Sequence, residues 1–197
     1  MTVQLASIQK VSFQEFVRFE EQAETKHEYV NGKTRAMAGA STAHNDIVMN
    51  VCAFLDQHFL ALDDKYKVTG SDTMVYVEEY DRGRYPDITV VEGDYVHYEN
   101  HKGVIVNPLM IGEVLSPSTE EMDEVPKFDE YQTLASFQEY VLIRQDKPYV
   151  KTYFREETDL WRVKLIDDMQ ATVHFRSIDV KMPMQRIYRK IKFDVIE

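Results

Sequence analysis

A single cysteine, Cys52, stands in the 197 residues, so no disulfide can form within the chain. A lone thiol suits a reducing compartment, and a cytoplasmic setting is the expectation. No run of roughly 18 apolar residues is present, which excludes a membrane-spanning helix. The opening MTVQLASIQKVSF lacks a charged stretch followed by an apolar one, and is not expected to serve as a secretory signal. Glycine and proline number only 7 and 6, and no Gly-, Pro- or Ser-rich run marks a linker. No segment repeats, and none is of low complexity. What is present, 44% hydrophobic and 12% aromatic residues, is enough for a true core in a chain of one-domain length. A single domain over residues 1–197 is expected.

Basic residues are the minority, 23 against 34 acids, leaving a net charge of -11. Proteins that hold nucleic acid through its phosphates usually carry a basic footprint, so the whole-chain charge weighs against that class. The acids cluster at Glu20, Glu21 and Glu24, at Glu78, Glu79 and Asp81, and at Glu120, Glu121, Asp123 and Glu124, as solvated faces and loops do. Near the C-terminus the sign reverses, with Lys181, Arg186, Arg189, Lys190 and Lys192 and no acid between them. Net charge governs solubility and long-range steering rather than one groove. Lys181, Arg186, Arg189 and Lys190 are therefore the candidates for phosphate contacts.

Periodicity gives the elements. Ser12 begins a helix through about Glu24, with Phe13, Phe16, Val17 and Phe19 as its apolar residues. Asn31-Gly32, between His27–Val30 and Lys33–Ala38, is a strong hairpin signal. Ser41 or Thr42 can cap a helix to about Leu62, whose Ile47, Val48, Val51, Phe54, Leu55, Phe59 and Leu62 recur at three and four residues. Strands are expected at Tyr66–Thr69, Thr73–Val77, Asp87–Val91 and Leu109–Leu115. A helix over Glu124–Ser136 tolerates Pro126 in its first turn. Strands at Glu139–Ile143 and Tyr149–Phe154 follow, then about forty residues of strand and irregular structure. This order predicts an α/β or α+β fold, a mixed sheet flanked by helices.

Two strands carry an acid where an apolar residue is expected. Asp87 opens the run Ile88-Thr89-Val90-Val91, and Glu113 is embedded in Leu109–Leu115. Alternation puts Leu109, Ile111, Glu113 and Leu115 on one face and Met110, Gly112 and Val114 on the other, which makes the strand central. A carboxylate there needs a partner or a metal, or else it neutralises. A buried pair with an arginine, or a place at an exposed strand end, would serve as well. Lys127, Tyr131 and Leu134 share one helical face, expected to pack on the sheet. Two acids and a lysine converging on one point suit metal-assisted phosphodiester hydrolysis. The acids would hold Mg²⁺ or Mn²⁺, and the lysine would orient a water or steady the charge on phosphate. Two carboxylates aimed at one ion repel each other in its absence, so Asp87→Asn without metal is expected to be at least as stable as wild type.

The run Pro86-Asp87, the strand ending Glu113-Val114-Leu115-Ser116-Pro117-Ser118-Thr119, and then Asp123, Lys127 and Tyr131 resemble the Uma-two-type putative restriction endonucleases. These form a large bacterial family of the PD-(D/E)xK nuclease superfamily. Glu28-Tyr29-Val30-Asn31-Gly32-Lys33, Met37-Ala38 and Ser41-Thr42-Ala43-His44 are similar to its N-terminal signature, and Phe137–Ile143 to its last core strand. The resemblance covers about residues 12–155. It implies a restriction-endonuclease-like core, with Asp87 and Glu113 as metal ligands and the Val114 carbonyl as a third. The superfamily's usual lysine, two positions after the glutamate, is here Leu115. The resemblance therefore implies that the lysine has moved to the next helix, as Lys127.

Among smaller signals, His44 and Glu28 are candidates for a supporting place at the site, against a first-turn role for His44 and a hairpin surface for Glu28. Asp123 could cap the helix or pair with Lys127. Ser116 and Ser118 lack a nearby base, so a nucleophilic serine is not expected. Cys52 is expected in the core, and the histidines show no zinc spacing. Tyr95, Tyr98 and His101 are expected in a polar surface loop, where stacking on bases is the alternative. Three functions remain open: a DNA endonuclease with Mg²⁺ or Mn²⁺, working as a homodimer if it cuts both strands; a silent nucleic-acid-binding or protein-interaction module; and a hydrolase of a smaller phosphoester.

Overall fold

The structure, a computed structural model, describes residues 10–116 and 120–193, with the backbone alone for 120–125. Helix α1 (Phe13–Glu20) opens with a capping box: the Ser12 hydroxyl accepts from the Glu15 N–H while the Glu15 carboxylate accepts from the Ser12 N–H. It buries Phe13, Phe16 and Val17 and stops short of the expected Glu24. Strands β1 (His27–Val30) and β2 (Lys33–Ala36) form the expected hairpin. Asn31 (φ 49°) and Gly32 (φ 83°) both lie in the left-handed region, as a type I′ turn requires. Helix α2 (Thr42–Phe59), capped by Ser41, turns Ile47, Val51, Leu55 and Phe59 inward, and a 3-10 turn (Leu60–Leu62) extends it.

The chain continues through β3 (Tyr66–Gly70), β4 (Met74–Val77), β5 (Arg82–Arg84), β6 (Ile88–Glu92), β7 (His97–Tyr98), β8 (His101–Ile105) and β9 (Met110–Leu115). Then come α3 (Glu120–Tyr131), β10 (Glu139–Arg144), β11 (Val150–Glu157), β12 (Leu160–Ile166), β13 (Thr172–Phe175), β14 (Val180–Pro183) and α4 (Met184–Ile187). Among the described residues they build two six-stranded sheets, β2-β1-β5-β4-β8-β7 and β12-β11-β10-β9-β6-β3, and the β13–β14 pair. Both large sheets are mixed: β4–β8 and β9–β10 run parallel and their neighbours antiparallel. The mixed α+β architecture is the expected one.

Strand β9 lies between β6 and β10, so Glu113 does sit on a central strand. Alternation sorts its neighbours. Met110 and Val114 join Ile88, Val90, Val141 and Ile143 under α2, while Ile111 and Leu115 join Val91, Leu142, Tyr131 and Phe137 on the α3 side. Leu109 departs from this pattern, because it precedes the strand and packs with the α2-side cluster. Each fully buried Leu, Ile or Val contributes about 1.5–3 kcal/mol relative to exposure, so a register slip would be costly. Gly112 makes room for β6: a Cβ there would come within 3.2 Å of the Ile88 side chain.

Helix α3 begins and ends earlier than expected, which leaves Leu134 in the turns beyond it, still packed against the same cluster. Strands β5, β7 and β8 are additions. Tyr98 and His101 lie on the β7–β8 hairpin rather than in a polar loop. There Tyr98 packs edge-on against Phe13 and Tyr76, each ring centroid 5.0 Å away. His101 meets Glu21 at 2.8 Å, and Tyr95 leans on the α3-side core. These contacts give the three side chains structural work.

Candidate active site

Ile88 of β6 pairs with Gly112 of β9 in antiparallel register, and one more step brings Asp87 opposite Glu113 at the end of β6. Asp87 is mostly buried. Its Oδ2 accepts from the Val114 N–H at 2.8 Å and from His44 Nε2 at 3.0 Å. The first contact stitches the strand end to β9; the second brings in the first turn of α2. Burial works against charge on His44, but its hydrogen bond to Asp87 and the fields of Asp87 and Glu113 outweigh it, and its pKa is raised. His44 thus touches the site through Asp87, beyond a capping position alone.

Glu113 is 5% exposed. Its Oε1 lies 3.2 Å from Lys127 Nζ and 3.4 Å from the Tyr131 hydroxyl. The helical spacing of Lys127 and Tyr131 therefore does aim both at the sheet, and Lys127 is itself largely buried. Asp87, Glu113 and Lys127 come together at one corner of the sheet, where the sequence places them. Each acid is compensated by a cation or donors. That removes the reason to expect an apo Asp87→Asn protein as stable as wild type.

Glu28 departs from the expected hairpin surface. It is buried and pairs with Arg84 Nη1 at 2.9 Å. Arg84 forks its Nε and Nη2 onto the two oxygens of Glu130 at 2.9 and 2.8 Å, and Arg82 Nε adds a contact to Glu130 at 3.1 Å. Arg84, Glu130 and the hydroxyl of Tyr131 are the residues that sequence reasoning passes over. The available signals were Arg82-Gly83-Arg84 just before Pro86-Asp87, and Glu130 one turn past Lys127. The side chain of Asp123, and Ser118, lie outside the described residues. Cys52 packs against the α2-side core, where burial pushes its thiol up to about 12.

Among the described residues no three His, Cys, Asp or Glu side chains gather around one point. The carboxylates of Asp87 and Glu113, with the Val114 carbonyl, would nevertheless supply an all-oxygen donor set. Such a set suits Mg²⁺ or Mn²⁺, ions that keep several waters when protein-bound.

The basic stretch is tied to the same rim. Lys181, Arg186, Arg189 and Lys190 are all exposed. Between them, buried Tyr188 hydrogen-bonds both the N–H and the carbonyl of Tyr149, at 3.0 and 2.8 Å, and Asn50 of α2 holds the Ile187 and Arg189 carbonyls. Tyr149 closes the β10–β11 turn. In that turn Gln145 donates its N–H to the Leu115 carbonyl at 3.1 Å and accepts from Ser41 Oγ at 2.6 Å. The turn thus spans from the end of the Glu113 strand to the cap of the His44 helix. No helix among the described residues is long and apolar enough to cross a membrane.

The chain is 32% identical to an uncharacterized protein of Synechocystis sp., sll1609, over 82% of this chain and 90% of that one. It is 28% identical to a second uncharacterized Synechocystis protein, slr1290, over 95% and 96%. Its fold is similar to the crystal structure of a putative nuclease of DUF820 from Anabaena variabilis, with a TM-score of 0.70 at 17% identity, covering 90% of this chain and 97% of that one. The family model described as "Uma2: Putative restriction endonuclease" matches residues 13–182, and the chain belongs to that family.

Proposed function

We propose that the chain is a divalent-metal-dependent endonuclease that hydrolyses DNA phosphodiester bonds at the corner formed by Asp87, Glu113 and Lys127. The observation that carries this reading is the meeting of Lys127, from α3, with Glu113 on the central strand beside Asp87. A lysine and an acid brought together in a largely dry corner suit a reaction that develops negative charge. Bound Mg²⁺ or Mn²⁺ would supply Lewis acidity and a more acidic water. Asp87, Glu113 and the Val114 carbonyl would hold the ion, with Asp87 kept in place by Val114 N–H and His44.

Lys127 would exchange its Glu113 oxygen for the attacking water or a phosphate oxygen, donating a hydrogen bond as charge builds. Tyr131 would keep Glu113 oriented as the ammonium moves. Lys181, Arg186, Arg189 and Lys190 would meet the DNA backbone, a local basic edge on an acidic protein. A homodimer would supply two such corners, one for each strand of a duplex. The single free thiol fits a cytoplasmic setting.

Incubation of supercoiled plasmid with the purified protein in Mg²⁺, Mn²⁺ or chelator tests the reading. Nicked or linear product is expected only with metal and is expected to vanish in Glu113→Ala. Absence of cleavage by wild type with any ion, or undiminished cleavage by Glu113→Ala, would overturn it.

A further inference from the structure

The buried charges beside the site have no part in the chemistry above, yet they join the two elements that build it. Arg84 ends β5, three residues before Asp87. Glu130 lies on α3 between Lys127 and Tyr131. The guanidinium forks onto Glu130 with two hydrogen bonds at 2.8 and 2.9 Å and takes Glu28 of β1 with a third nitrogen at 2.9 Å. All three residues are buried, at 9% exposure or less. Burial opposes charge on Arg84, but the two carboxylates outweigh it and hold the guanidinium more firmly protonated than usual.

Well-packed apolar residues of similar volume would often serve stability as well as a buried ion pair does. What the fork adds is direction, since planar, two-point contact fixes orientation as well as distance. Glu130 is one residue from Tyr131 and one turn from Lys127, so the angle at which Glu130 is held sets where both reach Glu113. Tyr131, next in the chain to the clamped Glu130, is fully buried with its hydroxyl 3.4 Å from Glu113.

We infer that Arg84, clamped between Glu28 and Glu130, is a positioning residue that holds the last turn of α3 so that Lys127 and Tyr131 meet Glu113. Its importance for catalysis rests on the nuclease reading; its effect on Lys127 does not.

The test uses the full chain with Glu28→Gln, Arg84→Met and Glu130→Met combined, which removes the clamp's charges together, with Arg84→Lys as a milder variant that keeps the charge and loses the fork. The first readout is acetylation of Lys127 by acetic anhydride, followed by mass spectrometry against exposed Lys102 of the same molecule. Lys127 is expected to be protected in wild type and to become severalfold more reactive in both variants, at melting temperatures that still show a folded protein. Should the triple variant fail to fold, Arg84→Lys decides. Unchanged protection of Lys127 in a folded variant overturns the inference.

The second readout is cleavage with Mn²⁺. The clamp variants should lose about tenfold or more in kcat with KM little changed, since a misplacement of about 1 Å can cost a hundredfold. In a background that combines Lys127→Ala with Tyr131→Phe, removing the clamp should cost nothing further. Independent, multiplying losses there would assign the clamp a role unconnected with Lys127 and Tyr131 and overturn the inference. A wild type that cuts no DNA refutes the nuclease reading, and the acetylation result then judges the clamp by itself.

Discussion

Replacing Asp87 by asparagine removes one negative charge at nearly constant shape. In the folded protein that carboxylate takes two donors, Val114 N–H at 2.8 Å and His44 Nε2 at 3.0 Å. A hydrogen bond to a charged group contributes about 1.5–3 kcal/mol and a neutral one about 0.5–1.5, so weakening both costs about 2–3 kcal/mol. Relief of repulsion from Glu113 subtracts from this, but Lys127 already compensates Glu113. A net loss of about 1–2 kcal/mol follows, or about 2–8 °C in melting temperature for a chain of this size. The metal acts in the opposite sense on wild type. An ion at a hundredfold excess over its dissociation constant adds about 2.7 kcal/mol, which raises the melting temperature by about 5–10 °C. Thermal melts of both proteins in chelator and along a Mn²⁺ series read both effects. Wild type should climb with Mn²⁺, while Asp87→Asn should start lower and stay flat. A wild type indifferent to the ion, alongside a destabilised Asp87→Asn, would make Asp87 an anchor for β9 and no more.

Three further outcomes are expected. Lys127→Ala should lose about a hundredfold or more in single-turnover cleavage, as removal of a charge-stabilising donor does, while calorimetry shows Mn²⁺ affinity retained; cleavage at the wild-type rate would contradict the role. Arg186, Arg189 and Lys190 changed together to Gln should weaken DNA binding on every sequence, with the slope of log affinity on log salt shallower by about 0.9 for each lost phosphate contact; an unchanged slope would assign the stretch to the fold. Glu139, at the opposite end of β10 from the site, is pushed up to about 7 by burial, despite the donors it meets at Arg176 and Ser177. The folded protein therefore keeps a proton that the unfolded chain releases near 4.5, so stability should fall as pH rises from there to about 7, by about 3 kcal/mol. Urea titrations across that range should show the slope in wild type and its loss in Glu139→Gln; equal slopes would refute the assignment.

The parts of the site legible in the sequence are those set by local periodicity. Alternation along Met110–Leu115 and the four-residue step from Lys127 to Tyr131 each choose a face without knowledge of the tertiary fold. Those faces, with Asp87 at the head of its strand, already point the two acids and Lys127 toward one spot, and the resemblance to the family implies the same three residues. The clamp was not legible, because it depends on β1 lying beside β5, a pairing between segments some fifty residues apart. Arg82-Gly83-Arg84 has no strand signature either; neighbouring strands make it one. Glu28 looked like an exposed hairpin residue for the same reason, since β1 becomes an inner strand only when β5 covers its second edge. His44 was visible as a first-turn residue, but its partner lies 43 residues away across the sheet.

Whether Asp87 and Glu113 together hold an ion is decided most directly by a crystal equilibrated with Mn²⁺ and measured at the manganese absorption edge. One anomalous peak is expected at about 2 Å from carboxylate oxygens of both Asp87 and Glu113, the usual distance for a small hard cation. Lys127 should then have given up its Glu113 oxygen. Saturating Mn²⁺ that appears only elsewhere, with Lys127 still against Glu113, would contradict the metal-dependent site.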